Sequence, residues 1–320
     1  MKITVSAPGK LHLSGEHSVV YGKPAVLTSI SSRIYVTVEK NPNPIRQLAD
    51  QIPKSIKAIT HKKNYLVSIT KLVEKKFNCT FDDFIITVNS DIPEGVGLGS
   101  SAALAVATIG ALSQILKQPW DARKINELAF EAEKQQHGNP SGGDNTVVTY
   151  GGMLWFRREF DFLKTFWLLP FKFPKSFAPF TLINTGRSEI TGELVKFVKR
   201  INTDTREQVC LEIEKTTKDM MQAIHDEYEP EFRKALKENQ RLLTQLGVVS
   251  PKTQKLITEI EKSGGVAKIS GAGGIESGSG VAIAMHMQPE TIHRLAKTHG
   301  FPSFQVQLGG EGVRREQVVM

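Results

Sequence analysis

Residues 84–104 read FIITVNSDIPEGVGLGSSAAL, and the change of character along these residues sets the fold class. Phe84 to Asn89 is a short β-branched and aromatic run of the kind that forms a buried strand. It opens into a glycine-rich loop at residues 93–99. An alanine-rich segment follows, whose composition predicts a helix from about Ser101 to Lys117. Small residues along its whole length predict burial on several sides, close against a sheet. Glycines let a backbone approach a ligand and take positive φ. The free N–H groups and dipole at the start of the next helix favour an anion. Gly95, Gly97, Leu98, Gly99, Ser100, Ser101 and Ala102 are therefore candidate phosphate contacts, with the two hydroxyls available to phosphate or Mg²⁺. The loop is no Walker A motif, because no lysine follows its glycines in that pattern. It also lacks the downstream acidic residue of the dinucleotide fingerprint. A plain turn capped by serine is the alternative.

Downstream, Asp121 to Gln136 has the spacing of a helix, with Ile125, Leu128, Ala129 and Ala132 as its apolar stripe. Glu133 falls on that same inward face, whereas Glu131 faces water. A carboxylate aimed at a core is costly unless a cation meets it, so Glu133 is a candidate metal ligand. The stretch HGNPSGGDN, residues 137–145, then breaks the helix and presents Asp144 near the start of another segment, where a helix dipole favours the ionised form. Two carboxylates in different settings beside a phosphate loop can divide the work. One binds metal, and the other accepts a proton from an attacking hydroxyl. At the N-terminus, APGKLHLSGEHSVVYG places Lys10 in an Ala-Pro-Gly turn just after a strand at Lys2–Ser6, with Glu16 and His17 following. His17 reads equally as a structural histidine and as a substrate contact.

With 320 residues, 40% hydrophobic and 23% charged, the chain can bury a large core and is long for one domain. Strand-like runs at Phe180–Asn184, Val266–Ser270, Gly280–His286 and Ser303–Gln307 predict a second, smaller sheet, with helices between Thr191 and Leu246. The Phe/Pro-rich residues 170–180 mark the expected division into domains 1–175 and 176–320. The net charge of +8 is scattered, without a block of basic residues, which suits small anionic substrates and does not call for nucleic acid. Cys79 and Cys210 stand in no metal or redox spacing. No run approaches the roughly 18 apolar residues of a membrane span, and the first residues read as a strand, not a signal peptide. A soluble, cytoplasmic protein is expected. The three tryptophans read as packing residues, and His286, His293 and His299 fit no metal pattern.

Three motifs in this order, APGKLHLSGEHSVVYG, IPEGVGLGSSAAL and KISGAGGIESGSG, resemble the GHMP kinase superfamily. Within it, GEHSVVYG and EKQQHGNPSGGDN resemble the mevalonate kinases, as does the tail LGGEGVRRE. The resemblance covers essentially the whole chain. It implies a two-domain α+β fold, with a mixed N-terminal domain, a ferredoxin-like C-terminal domain, and the site in the cleft between them. It implies ATP and mevalonate as substrates and Mg²⁺ as cofactor, and homodimers are common among such proteins. Residue by residue, it makes Asp144 the catalytic base and Lys10 its partner beside the acceptor hydroxyl. Ser101 and Glu133 become the Mg²⁺ ligands. Glu16, His17 and Thr191 become acceptor-binding residues. Gly271, Ala272 and Gly273 close over the nucleotide. The chain departs from the family at Ile275, Glu276 and Ser277, which interrupt the glycines of the third motif. Arg187 could contact an anionic acceptor or lie on the surface. Another kinase of the superfamily, for phosphomevalonate, homoserine or a sugar, is the nearest alternative. A diphosphomevalonate decarboxylase and a silent ligand sensor are the remoter ones.

Overall fold

A computed structural model of the protein describes residues 1–41, 56–58, 63–93, 95–137, 140–160, 163–186 and 191–319. Glu94, Gly138, Asn139 and Arg187, all named above, lie outside the described residues. The first sheet is built on a long antiparallel pair, β1 (Lys2–Ser14) and β2 (Pro24–Lys40). The second half of β2 pairs with β4 (Phe84–Ser90), and β4 pairs in parallel with β3 (Ile56–Ala58). The first half of β2 pairs instead with β5 (Met153–Arg158), which continues into β6 (Lys164–Leu168). The Ala-Pro-Gly stretch before Lys10 was expected to turn. It is extended and lies within β1, where the register shifts between Pro8 and Lys10. A register shift is where a strand can hold a proline and re-aim a side chain.

The helices α1 (Lys63–Phe77), α2 (Ser100–Ile115), α3 (Ala122–His137) and α4 (Gly143–Tyr150) pack with this sheet, and α2 lies directly on β1 and β2. Nearly every residue of α2 is buried. Small side chains permit this, since a Cβ on Gly110 would stand 3.0 Å from the Val5 side chain. The second sheet holds β7 (Phe180–Asn184), β8 (Val266–Ser270), β9 (Val281–Met285) and β10 (Ser303–Val306). Its order is β10-β7-β9-β8, and every pairing is antiparallel. Between β7 and β8 run α5 (Thr191–Lys199), α6 (Thr203–His225), α7 (Glu229–Gln245) and α8 (Pro251–Lys262), and α9 (Pro289–Thr298) joins β9 to β10. This is the split β-α-β arrangement of a ferredoxin-like domain, so the chain has the expected two-part α+β fold.

Three features tie the halves into one body. Strand alternation buries both faces of the second sheet. Val281, Ile283 and Met285 join the core of the first half, while Ala282 and Ala284 join a second core under α8 and α9. The 170–180 stretch, expected to mark a boundary, is itself packed. Phe173 meets Phe177, Phe180 and Phe232 edge to face at 5.1–5.6 Å. The chain also returns at its end, for β11 (Arg314–Val319) pairs with β1 in the first sheet. A division at residue 175 therefore separates β11 from the sheet it completes. Among the described residues, no helix is long and apolar enough to cross a membrane.

The segment before β11 is held by Arg33, which donates to the carbonyls of Glu311 (3.0 Å) and Gly312 (2.6 Å) and to Ser6 Oγ (2.7 Å). Gly151 has φ 74° and ψ −164°, and a Cβ there would stand 2.3 Å from the Gly312 nitrogen. Gly151→Ala should therefore lower unfolding free energy by about 1–3 kcal/mol, read as a lower urea midpoint. An unchanged midpoint would show that this crossing is slack.

Candidate active site

Lys10 is the residue around which the site assembles. Its backbone N–H donates to the carbonyl of Leu98 at 3.0 Å, which docks the glycine-rich loop onto β1. Its stem passes against Gly99, where a Cβ would come within 2.6 Å of Lys10 Cγ. Gly99 also has φ 71° and is the N-cap of α2, so glycine is required there for both conformation and space. The Lys10 ammonium reaches 3.1 Å from Asp144 Oδ2; the lysine side chain is 7% exposed and the aspartate 36%. Asp144 stands in the first turn of α4, after Gly142 in a left-handed conformation. That helix is fixed by Thr146 Oγ1 donating to Gly142 O (2.7 Å) and by Asn145 Nδ2 donating to Asn126 Oδ1 (2.7 Å).

These groups open on a cleft of 960 Å³ walled by both halves of the molecule. One wall holds Gly95, Gly97, Gly99, Ser100, Ser101 and Ala102, at the N-terminus of α2. The N-cap of α2 is Gly99, so neither serine occupies the capping position itself. Leu98 turns its side chain into the core and contributes its carbonyl to Lys10. Opposite stand Gly271, Ala272 and Gly273, and Thr191 lines the cleft at the start of α5. Gly273 is wedged against the Val248 carbonyl, which a Cβ would approach to 2.1 Å. None of residues 275–277 lines the cleft among the described residues, and Glu276 is exposed.

Glu133 is buried on the inward face of α3 and lines the cleft. Tyr65 on α1 donates to Glu133 Oε1 at 2.7 Å. Desolvation and the adjoining carboxylate push the Tyr65 phenol far above its ordinary range, which keeps it a donor. One buried carboxylate and the Ser101 hydroxyl beside a helix N-terminus suit a hard dication shared with phosphate oxygens. Such an ion needs few protein ligands.

Glu16 and His17, expected to touch the acceptor, are both buried behind the wall. Glu16 forms a fully buried ion pair with Lys268, Nζ to Oε1 at 2.5 Å, and Lys268 also donates to Ile269 O at 2.6 Å. Burial pushes the ammonium down and the carboxylate beside it pushes it back. His17 Nε2 donates to Ala272 O at 2.9 Å. His17 therefore braces the 271–273 loop from the first half of the chain, and Glu16 braces the strand β8 that leads into it. Lys268, Tyr65 and His12 carry chemistry that the sequence reading did not assign. Lys268 gave a signal, a lone charge inside the apolar run VAKIS, but its partner is 252 residues away. The cleft is also lined by Arg158 and Lys164.

Removing one member of the buried pair strands the other charge. Lys268→Met should cost about 3–5 kcal/mol of unfolding free energy, and Glu16→Gln with Lys268→Met should recover much of it. Equal losses in the single and double variants would show that pairing is not what Lys268 contributes. A pH dependence follows from His12 and His17, both depressed chiefly by desolvation and His12 to about 3. The unfolded chain binds protons below about pH 6.5 that the folded chain refuses. Stability should then be flat above that pH and fall on acidification, by up to about 1.4 kcal/mol per pH unit for each histidine. Stability that rises between pH 7 and 5 would contradict this.

Residues 64–152 match the model of the GHMP kinases N-terminal domain, and residues 220–275 that of the GHMP kinases C-terminal domain. A mevalonate kinase of Thermococcus gammatolerans is 31% identical over 345 aligned positions, covering 100% of both chains. One from Archaeoglobus fulgidus is 33% identical over 272 positions, covering 84% of this chain and 88% of its own. Among solved structures, L. major mevalonate kinase in complex with R-mevalonate superposes with a TM-score of 0.81 at 23% identity, covering 96% of this chain and 95% of that one. That likeness speaks to the fold. With kinship running the full length of the sequence, the chain belongs to the GHMP kinase family, and these full-length relatives within it are mevalonate kinases.

Proposed function

We propose that the protein transfers the γ-phosphoryl group of ATP to the primary hydroxyl of mevalonate, giving 5-phosphomevalonate and ADP. The observation that carries the reading is the Lys10–Asp144 pair, 3.1 Å apart, in one cleft with the α2 N-terminus and Glu133. Phosphoryl transfer asks for positioning and charge neutralisation more than for covalent chemistry. Asp144 orients the acceptor hydroxyl and takes its proton as the oxygen bonds to phosphorus. Lys10 steadies the negative charge on that oxygen. The first-turn N–H groups of α2, with Ser100 and Ser101, cradle the ATP phosphates. Gly271, Ala272 and Gly273 approach them from the other half with at most one methyl group among them. Ser101 and Glu133 would hold Mg²⁺, which neutralises phosphate charge when bound. Thr191, which lines the same cleft, is read as a further acceptor contact. Arg158 and Lys164 add positive charge to the same cleft, which suits an acceptor carrying a carboxylate. His17 acts on the acceptor indirectly, by fixing the 271–273 loop, and Glu16 by holding the β8 strand that leads into it.

The acceptor is tested by ADP release against mevalonate, phosphomevalonate, homoserine and galactose, with product masses recorded. Turnover confined to mevalonate, with a singly phosphorylated product, supports the reading; turnover confined to another acceptor replaces it. Asp144→Asn should lower kcat by about 10²–10⁴ while leaving ATP affinity within a few-fold. Full activity in that variant would remove Asp144 from the chemistry.

A further inference from the structure

His12 stands two positions beyond Lys10 on β1, and between them the pairing with β2 runs without a shift, Lys10 to Ser29 and His12 to Leu27. Strand alternation therefore puts Lys10 and His12 on one face, while Leu11 between them is fully buried on the other. Both residues line the cleft. The backbone of His12 is clamped by the second half of the chain. Its N–H donates to Ser270 Oγ at 2.9 Å, and its carbonyl accepts from that hydroxyl at 3.1 Å. The ring is thus carried on backbone held from both sides.

The two ring nitrogens differ. Nδ1 is sealed from solvent and has no hydrogen-bond partner, which leaves Nε2 as the nitrogen that meets the cleft. An orphaned buried N–H is rarer in proteins than an under-used acceptor, so the proton belongs on Nε2. The ring also stays neutral. Desolvation is the main cause, and Lys10 and Lys268 oppose protonation further, against the pull of Asp144. Beside the charged Lys10–Asp144 pair the strand therefore offers an uncharged donor that does not compete with Asp144 for a proton.

We propose that His12 is an acceptor-positioning residue, whose Nε2–H donates a hydrogen bond to a non-reacting oxygen of the acceptor alcohol and so fixes its hydroxyl against Asp144. This rests on the cleft being the phosphoryl-transfer site, and it holds for whichever acceptor the wild-type enzyme turns over. The buried Nδ1, otherwise without a purpose, follows from the need to hold the other nitrogen towards a ligand.

Two measurements test it. The first compares His12→Leu and His12→Asn with wild type, using the acceptor that the panel above identifies. In the leucine variant KM for the acceptor should rise about tenfold, as for a lost hydrogen bond. KM for ATP should stay within twofold. Asparagine, which keeps a side-chain N–H, should recover part of the loss. An acceptor KM that does not move, or an ATP KM that rises equally, would make His12 a scaffold residue and overturn the proposal. The second measurement does not depend on the variants folding. In ¹⁵N-histidine NMR of the wild-type enzyme, His12 should show the Nε2–H tautomer from pH 8 to 5. Its Nε2 signal should shift when mevalonate is added to saturation without ATP, with phosphomevalonate, homoserine and galactose titrated in parallel. An Nδ1–H tautomer, or no response to any of the four, would also overturn it. If phosphomevalonate, homoserine or galactose alone moves the signal, the choice of acceptor fails while the role of His12 stands.

Discussion

The packing of the glycine-rich loop over Lys10 is the constraint on which the site depends. One residue serves three elements: its N–H takes the Leu98 carbonyl, its stem occupies the space a Gly99 side chain would need, and its ammonium meets Asp144. The N-terminus of α2 is therefore set relative to Asp144 by contacts a few ångströms long, and its register on β1 and β2 is kept by the small residues along its length. In-line transfer needs the phosphate cradle and the acceptor-orienting group at a fixed separation. Here Lys10, which follows the register shift in β1, reaches from the loop to Asp144.

The second half of the chain is attached to this frame by polar contacts that are buried and therefore selective. Glu16 meets Lys268, His17 meets the Ala272 carbonyl, and the backbone of His12 meets Ser270. Each joins the region just after Lys10 to β8 or to the loop that follows it. A buried ion pair adds little net stability over an apolar pair of the same shape, but breaking it is expensive. It consequently specifies where the 271–273 wall stands more than it raises the stability of the fold. The shared core around Phe173 and Phe232 supplies the apolar part of the same junction.

Much of this was legible in the residues. The Gly-rich loop before an alanine helix, the inward Glu133 and the helix-opening Asp144 all occupy the places that their local patterns imply, and the strands of the second sheet fall where alternation put them. The features that local pattern could not place share a cause. Ala7 to Gly9 carry turn-forming residues yet lie in a strand, because pairing with β2 outweighs local preference. Glu16 and His17 sit in a motif that looks like substrate chemistry, yet their partners are Lys268 and Ala272, more than 250 residues away. The end of the chain gave no sign that it would complete the first sheet beside β1.

The sequence by itself determined the local elements and the chemical inventory: which helix starts could hold an anion, which carboxylate faces inward, and which lysine precedes the glutamate–histidine pair. Those properties depend on periodicity and on residues within a turn or two of one another. Only the tertiary structure decided which of these groups share a cleft, which stand behind its wall, and that His12 lines that cleft with Lys10 and Asp144. Desolvation and hydrogen-bond pairing are set by neighbours distant in the chain, and they decide whether a polar side chain braces the site or meets the substrate.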